Sequence, residues 1–399
     1  MFGMGHKETD TTYGAIIDVG SASVGVGIVE SNHTLKLPKI LYVHREEMRM
    51  SEKSDTLEDA LRNMRETLFS VCLRLGNDGI RTLMAHNADA RIGRVLVTCS
   101  SPWSHTISRN IEYANDKPFK ITESFIDELV NSAEHEAAAV LSESEIVTTL
   151  GLTIVERATI NIAANGYHVT NPFDATVNNV SLSHVIGLIP ESILEAIHEV
   201  QEKILTDTKL SAHTYILVMY CVLRDLYPKL SSLCIVDVTG ESTEIGIVED
   251  GVLIKTAHSP SGSNSMLREI MKKTKKSKED IISQLRTLDE NSADESARAN
   301  IDTLLKTFDN ELQKTLSKVF ETNRIPYKII TSSQPDLQDL FAHRIPVIAH
   351  RVTGEKYSSL ELQPKLLDEI AQEVNKDVFI TMASRFFHKL HGCGEIETI

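Results

Sequence analysis

Two distant segments of the chain share one pattern, in which a strand ends in Asp-Val and is followed by a turn of small and hydroxyl residues. The first is YGAIIDVGSASVGVGIVE (residues 13–30), and the second is CIVDVTGESTEIGIVED (residues 234–250). In both, β-branched residues resume after the turn, which predicts a second strand and therefore a β-hairpin. The pattern predicts two halves that each contribute an acidic hairpin, with Asp18 in the first and Asp237 in the second.

Composition limits the class of protein and of partner. The chain has 399 residues, enough for two or more subdomains, and 41% of them are hydrophobic. A formal net charge of −15 argues against binding to nucleic acid, because phosphate backbones require a positive surface. The five cysteines form no CxxC pair, which excludes a standard zinc site and favours a reducing compartment. No signal peptide or membrane span is visible, so the expected location is the cytoplasm, with the inner face of the cell membrane as an alternative.

The hydrophobic pattern between the hairpins predicts mixed α/β structure. Strands are expected across residues 13–45 and 94–101, with a helix from about residue 55 between them. A separate α+β module is expected from about residue 118. Its helices are predicted at 122–141 and 191–205, and its strands at 153–169 and 181–190, with a turn at Asn165-Gly166.

The remaining segments predict a second mixed unit. Residues 210–227 predict an apolar helix, or a helix preceded by a strand, and residues 277–321 are helix-rich. PYKIITSS (326–333) and IPVIAHRV (345–352) predict strands, and one or two helices are expected within 362–390.

The acidic hairpins suit phosphate binding. Glycine lets backbone N–H groups approach a phosphate closely, and serine or threonine hydroxyls add donors. A carboxylate beside a polyphosphate holds a hydrated Mg²⁺ or orients an attacking water, because direct contact would be repulsive. One such turn is common for geometric reasons alone, whereas two facing turns can clamp a nucleotide.

In its order of elements the chain resembles the actin-like ATPases, which have a ribonuclease H-like α/β fold of two domains. Asp18-Val19-Gly20-Ser21 resembles the first phosphate loop of that family, and Asp237-Val238-Thr239-Gly240-Glu241-Ser242-Thr243 resembles the second. Residues 156–182, ERATINIAANGYHVTNPFDATVNNVSL, are similar to the inserted SHS2 subdomain of the bacterial cell-division protein FtsA and its pilus relative PilM. SPSGSNSM (259–266) resembles the loop that leads into the helix of the second domain.

The resemblance implies a division of the chain. It assigns residues 13–117 and 326–392 to the first actin-like domain and residues 118–206 to the inserted FtsA-type subdomain. It assigns residues 207–276 to the second domain and residues 277–325 to a reduced helical subdomain.

The resemblance also implies a site for ATP and Mg²⁺ between the domains. The implied nucleotide-binding residues are Asp18, Gly20, Ser21 and Ser23 from the first hairpin, Asp237, Gly240, Ser242 and Thr243 from the second, and Gly262 and Asn264 from the following loop. Asp18 and Asp237 are the implied catalytic pair and would hold the metal through water. Ser23 and Ser242 equally fit a structural role, in which they satisfy the backbone of the turns.

Four departures from the family pattern predict slow hydrolysis at most, or a scaffold without nucleotide. The turn expected at the adenine, residues 331–334, is TSSQ and lacks glycine, and Glu241 adds a negative charge to the second phosphate loop. Asp225 is the single acid of the helix that should orient the attacking water, and it lies too near the C-terminal end. Residues 277–325 also lack the strands of a full ribose-binding subdomain.

Two function classes therefore stay open. The first is an FtsA-like cell-division scaffold that binds ATP and Mg²⁺, forms a polymer and tethers a tubulin-like division protein. The alternative is a PilM-like adaptor, with or without nucleotide, that binds a membrane protein of a type IV pilus or secretion assembly. A sugar or acetate kinase is a weaker third class, because no sugar-binding acid pair or kinase signature is visible. Residues 377–392 match an amphipathic membrane helix or a last core helix; we favour the core helix, so membrane contact is expected to be indirect.

Overall fold

The computed structural model describes residues 11–50, 56–142, 151–287, 295–360, 362, 364–372 and 377–391. The strands, in chain order, are β1 (Thr12–Val19), β2 (Ser23–Ser31), β3 (Lys39–Glu47), β4 (Ile92–Cys99), β5 (His105–Lys120), β6 (Leu152–Ala164), β7 (Tyr167–His168), β8 (Thr176–Pro190), β9 (Lys209–Thr214), β10 (Leu233–Val238), β11 (Thr243–Glu249), β12 (Val252–Ser259), β13 (Lys328–Ser333) and β14 (Ser358–Leu360). The helices, in chain order, are α1 (Leu57–Arg74), α2 (Ile80–His86), α3 (Glu123–Ser142), α4 (Glu191–Ile204), α5 (Tyr215–Leu226), α6 (Ser263–Thr274), α7 (Lys278–Thr287), α8 (Glu295–Phe320), α9 (Gln338–Thr353), α10 (Pro364–Ile370) and α11 (Val378–His391).

Two mixed sheets with the same topology form the framework. The first sheet has the strand order β3-β2-β1-β4-β9, and the second has the order β12-β11-β10-β13-β14. In each sheet three consecutive antiparallel strands are followed, on the other side of β1 or β10, by two parallel strands. The repeat predicted from two hairpins therefore extends to two whole sheets, and the α/β two-domain architecture is confirmed.

The inserted unit is a third, antiparallel sheet with the order β5-β8-β6-β7. Helix α3 packs against β5 and β8. Asn165 and Gly166 have φ angles of 50° and 83°, as a two-residue turn between β6 and β7 requires. The α+β module predicted between the two halves is therefore confirmed.

The sequence-based boundaries of the units need three corrections. Strand β13 pairs in parallel with β10, and β14 pairs with β13, so residues 326–360, which include α9 between these strands, belong to the second unit and not to the first domain. Strand β9 pairs in parallel with β4, so residues 209–214 complete the first sheet. Strand β5 pairs with β8, so the inserted sheet begins at His105 and not near residue 118. Parallel partners are distant in sequence, and a buried strand pattern does not encode which sheet it joins.

The strand predicted for residues 345–352 is wrong, because these residues lie in α9. Phe341, Ile345, Ile348 and Ala349 recur at helical spacing and are all buried. That spacing places them on one face of the helix, and their burial outweighs the strand preference of β-branched residues.

Among the described residues, three large apolar cores pack against the first two sheets, and two smaller clusters lie in the inserted unit. The outer face of the first sheet packs against α1 and α4, and the outer face of the second packs against α6 to α9. Between the sheets lies a joint core around α5, in which the nine residues from Tyr215 to Leu223 are all buried. A helix that is apolar on every side is typical of such an interior position.

Helix α11 belongs to the joint core. Its Phe379, Ile380, Phe386 and Phe387 are buried, and it packs against β1, β2 and α5. The core role predicted for this segment is therefore confirmed up to residue 391, and Gly392 lies outside the described residues. Within the described part of the chain, no helix combines the length and the apolar content needed to cross a bilayer.

Candidate functional site

Asp18 lies in a row of side chains that crosses the first sheet. Strand register pairs Asp18 with Thr98 of β4 and with Gly25 of β2, and it pairs Gly25 with Arg45 of β3. Directly paired residues project from the same face of a sheet, so Arg45 extends over Gly25 toward Asp18. A Cβ atom at residue 25 would lie 2.5 Å from Arg45 Nη2, so this approach requires glycine.

Arg45 neutralises two buried carboxylates at once. Its Nη2 donates to Asp18 Oδ2 at 3.0 Å, its Nε donates to Asp377 Oδ2 at 2.6 Å, and its Nη1 donates to Ser23 Oγ at 3.0 Å. Thr98 Oγ1 donates to Asp18 Oδ1 at 2.8 Å, so both carboxylate oxygens of Asp18 have partners. Burial raises the pKa of Asp18, and Arg45 offsets part of that rise. At Asp377 burial acts in the same direction, but Arg45 and the hydrogen bonds outweigh it and lower the pKa.

The second sheet carries a corresponding row with different chemistry. Asp237 pairs with Ser332 of β13 and with Glu244 of β11, and Glu244 pairs with His258 of β12. Glu244 therefore stands at the position that Gly25 holds in the first sheet. His258 Nε2 lies 3.7 Å from Glu244 Oε1 without a hydrogen bond. Burial lowers the pKa of His258 well below its usual value, so His258 does not supply the positive charge that Arg45 supplies in the first row.

The buried acids of the second row favour their neutral forms. Burial raises the pKa of Asp237 to about 8, and the charge of Asp18 adds to the rise. The hydroxyls of Ser100 and Ser332 lie near enough to offset a part of it, although within the described residues no well-aligned hydrogen bond reaches either oxygen of Asp237. Burial, followed by the charge of Asp237, raises the pKa of Glu244 well above its usual value.

The turns of the two hairpins contact each other directly. Ser21 Oγ donates to Thr239 Oγ1 at 3.0 Å and accepts from the backbone N–H of Glu241 at 3.0 Å. A Cβ atom at Gly240 would lie 2.8 Å from the backbone of Ser21 and 2.9 Å from Ala22 N. The two turns therefore meet across the domains, and in this conformation no gap separates them.

The start of α6 packs against the second turn. A Cβ atom at Gly262 would lie 2.5 Å from Thr239 O. The backbone N–H groups of Ser263 and Asn264 donate to Thr239 O at 2.8 Å and to Gly240 O at 2.7 Å. Amides at a helix N-terminus are groups that bind phosphate, and two of them are engaged here by the protein's own backbone.

The other predicted residues also bond within the turns. Gly20 N donates to Ser23 O at 3.1 Å, and the Ser242 hydroxyl lies 3.2 Å from that of Thr239. Thr243 Oγ1 donates to a backbone carbonyl in the loop before α6 at 2.7 Å. These contacts agree with the structural role that the sequence left open for Ser23 and Ser242.

Tyr215, the first residue of α5, fills the space beside the two acidic strands. Its ring is fully buried and lies 5.3 Å from the ring of Phe379, and its hydroxyl lies 3.4 Å from Ser332 Oγ. Burial raises the pKa of Tyr215 well above its usual value, and the charges of Asp237 and Asp18 raise it further.

Glu241 turns away from the acidic pair. Its carboxylate forms a two-point ion pair with Arg268 of α6, in which Nη1 lies 2.9 Å from Oε1. Beside this pair is a cavity of about 240 Å³, lined by Ser21 and Trp103 from the first domain and by Asn264 from the second. Asn264 Oδ1 is buried and has no hydrogen-bond partner among the described residues.

In this conformation the residues do not fit a metal-bound triphosphate between the hairpins. Both oxygens of Asp18, the hydroxyl of Ser21 and the first amides of α6 are engaged by other protein groups. Asp225 of α5 pairs with Lys389 at 2.7 Å, away from the acidic strands. No hydrolytic step follows from this geometry.

Three residues that organise the site are absent from the predicted set, namely Arg45, Asp377 and Tyr215. Asp377 caps α11, because its Oδ1 accepts from Ile380 N at 3.0 Å. An Asp before an apolar helical run is a signal for that role. Gly25 in the middle of a β-branched strand likewise indicates that another group approaches closely. Neither signal identifies Arg45 as the partner of both acids.

Comparison with known proteins gives matches in structure alone. No protein-family model matches the sequence, and neither does any curated protein. A solved structure described as a PilM-PilN type IV pilus biogenesis complex aligns with a TM-score of 0.56 at 12% identity, over 94% of this chain and 98% of that chain. The alignment therefore includes nearly all of both chains, not one sheet or one domain alone.

The chain has the actin-like ATPase fold. Two further structures match at lower scores. The ethanolamine utilization protein EutJ from Carboxydothermus hydrogenoformans has a TM-score of 0.44 at 9% identity, over 94% of this chain and 89% of that chain. A Bacteroides thetaiotaomicron protein with actin-like ATPase fold and unknown function has a TM-score of 0.38 at 11% identity, over 88% and 91%. Because a fold hosts many functions, the actin-like fold leaves the activity of this chain to be argued from its site.

Proposed function

We propose that this chain is a non-catalytic adaptor of a membrane-associated assembly, comparable to PilM in its complex with PilN. In this proposal the two hairpins form an interdomain lock rather than a nucleotide clamp. The observation that carries it is the direct contact between the turns, in which Ser21 bonds to both Thr239 and Glu241. Groups that would bind phosphate are instead used to hold the two domains together.

The surroundings of Asp18 support the same proposal. Arg45 ties Asp18 of β1 to Asp377 at the start of α11, and all three side chains are largely buried. A carboxylate with a fixed guanidinium partner anchors structure and is poorly suited to hold a hydrated Mg²⁺. We propose that this chain binds a membrane assembly protein at the inner face of the cell membrane.

Affinity capture of the full chain from its native host tests the adaptor role. Recovery of a membrane protein of a pilus or secretion assembly is the expected result. Recovery of a tubulin-like division protein in its place would contradict the proposal.

Calorimetry with ATP, in the presence and absence of Mg²⁺, tests whether the contact between the hairpins excludes nucleotide. We expect no binding tighter than about 1 mM, and Mg²⁺-dependent binding at about 1 μM would overturn the lock.

A second candidate is an FtsA-type cell-division scaffold that binds ATP and Mg²⁺ after the hairpins separate. One observation favours it, because Asp18 and Asp237 occupy equivalent strand positions and the charge of Asp18 helps to raise the pKa of Asp237. For this candidate, Asp18→Asn should weaken ATP binding roughly tenfold and remove its Mg²⁺ dependence. Unchanged affinity and metal dependence in Asp18→Asn would rule it out.

A further inference from the structure

The inserted unit has a groove that its own helix leaves open. Helix α3 packs against β5 and β8, whereas β6 lies beside a cavity of about 650 Å³. We call this cavity, between residues 126–134 of α3 and residues 157–162 of β6, the β6 groove. Strand β7 pairs with β6 at Ala163 and Ala164, and the backbone N–H of Val169 donates to Ile162 O at 3.0 Å. Within the described residues no strand pairs with the same edge along residues 157–161.

The groove follows the edge of the strand. Four consecutive residues of β6, from Thr159 to Ile162, line it. The register of β6 is irregular between Thr159 and Asn161, which breaks the alternation of faces and lets consecutive residues line one surface. The groove also takes in residues 168–173, which begin in β7 beyond this edge of β6, so it runs along the edge. The edge of a strand presents backbone N–H and C=O groups that can pair with another chain.

A buried polar group faces the middle of the groove. His184 of β8 is 2% exposed, and its Nδ1 lies 3.2 Å from Thr159 Oγ1. Its Nε2 has no hydrogen-bond partner among the described residues, and the nearest carboxylate oxygen, Glu134 Oε1, is 3.8 Å away. A buried ring nitrogen without a partner costs free energy, and a bound polar group would remove that cost.

Apolar and acidic groups flank this nitrogen. Ile126, Val130 and Val169 supply apolar lining, and Phe173, with 44% exposure, stands at the rim. The charged lining residues are Asp127, Glu134 and Arg157. Arg157 Nε bonds to Glu134 Oε1 at 2.9 Å, which leaves Asp127 as the acidic group outside that pair. The lining is therefore net acidic, as is the whole chain with its charge of −15.

We propose that the β6 groove binds an extended basic and apolar peptide segment of a partner protein, which adds as a strand along the free edge of β6. Main-chain bonds to the edge supply affinity, and pockets for alternate side chains supply selectivity. An apolar side chain of the peptide packs against Val130 and Val169, and a basic side chain meets Asp127. The inference rests on the proposed adaptor function and names the chemistry of its partner, since cytoplasmic segments beside membrane spans are rich in Lys and Arg.

A random peptide library displayed on phage, selected against the full chain, provides the probe. We expect enriched peptides that combine basic and apolar residues and that slow hydrogen exchange at residues 157–161. Asp127→Lys should weaken the best peptide roughly tenfold, and Glu128→Lys should leave its affinity unchanged. Glu128 is the matched control, because it is exposed on α3 and does not line the groove.

Three outcomes would overturn the β6 groove as the docking site. They are enrichment of acidic peptides, equal weakening by both charge reversals, and exchange protection away from β6. Affinity capture separates this failure from failure of the adaptor role. If Asp127→Lys and the parent chain recover the same membrane protein equally, the adaptor role stands and the groove is excluded. If library peptides bind at β6 but no membrane protein is captured, the adaptor role fails and the groove stands.

Discussion

Asp18 and Asp237 occupy the same position in two sheets of equal strand order, but their neighbouring residues give them different partners. Across the hairpin, Asp18 faces Gly25 and Asp237 faces Glu244. The glycine lets Arg45 reach Asp18 at 3.0 Å, whereas the glutamate adds a second buried acid beside Asp237. The first carboxylate is therefore an anchor with a counter-ion, and the second is a buried group that holds its proton at pH 7.

Gly25→Ala should destabilise the chain by about 2 kcal/mol. The new Cβ atom would lie 2.5 Å from Arg45 Nη2, so the guanidinium must leave Asp18 or the strands must move apart. Chemical denaturation measures the loss. Gly93→Ala is the control, because no atom lies within 4 Å of the Cβ position at that residue and we expect little change. Equal stability of the two variants would show that Arg45 does not depend on glycine at residue 25.

Asp237→Asn should remove part of the pH dependence of stability. The pKa of Asp237 is about 8 in the folded chain and near 3.8 when unfolded. Between those values the folded state holds a proton that the unfolded state releases, so the stability that this group contributes falls as pH rises. The slope is at most about 1.4 kcal/mol per pH unit and ends above pH 8.

Thermal unfolding of the parent and Asp237→Asn chains between pH 5 and pH 9 checks this expectation. The variant should gain stability relative to the parent as pH rises, and the difference should level off above pH 8. Asp339→Asn, at an exposed position, should follow the parent curve at every pH. A constant difference between Asp237→Asn and the parent would mean that Asp237 is ionised throughout the range.

Gly240→Ala should force the two hairpins apart. The added methyl group would lie 2.8 Å from the backbone of Ser21, which cannot move as a flexible side chain could. We expect faster hydrogen exchange at residues 18–24 and 237–243 and a loss of about 1–3 kcal/mol in stability. Ser21→Ala removes the hydroxyl without adding bulk, so it should cost about 1 kcal/mol per lost bond. Unchanged exchange in Gly240→Ala would contradict the lock between the hairpins.

Arg344→Ala should be the more damaging of two arginine substitutions in α9. Arg344 is 4% exposed, and its Nε donates to Asp309 Oδ1 at 3.0 Å while its Nη2 donates to Asp302 Oδ1 at 2.6 Å. Its removal leaves Asp309 buried, with its charge only partly compensated, and should cost about 3–5 kcal/mol. Arg351 contacts the same two acids from a more exposed position, so Arg351→Ala should cost about 1 kcal/mol or less. Urea unfolding of both variants measures the difference, and equal costs would contradict it.

The local sequence pattern predicts which segments form strands and helices better than it predicts which strands pair with each other. The hairpins at β1-β2 and β10-β11 follow from alternating β-branched residues and small turn residues, and the turn at Asn165-Gly166 follows from its two residues. The assignment of residues 326–360 to the first domain fails, because the parallel pairing of β13 with β10 joins segments that are nearly a hundred residues apart. Such long-range pairing leaves no periodic signal in either strand.

In the site, too, the sequence identifies individual residues but not their contacts. Asp18, Ser21, Asp237 and Gly240 are identified from the two turns and do lie together. That the turns touch could not be predicted, because the distance between two domains is set by the packing around α5 and not by the turn sequences. Arg45 cannot be identified from the sequence, because its partner depends on the sheet register that brings it beside Gly25.

The burial of α5 also determines how the chain can be divided. Ile16 of the first sheet, Ile235 of the second and Ile160 of the inserted sheet all pack in the core that surrounds this helix. Removal of any one of the three sheets would expose apolar surface of this core to solvent, so truncated fragments are expected to aggregate when they are expressed alone. The chain is therefore expected to fold as one cooperative unit, and the inserted module contributes to the shared core rather than forming an independent domain.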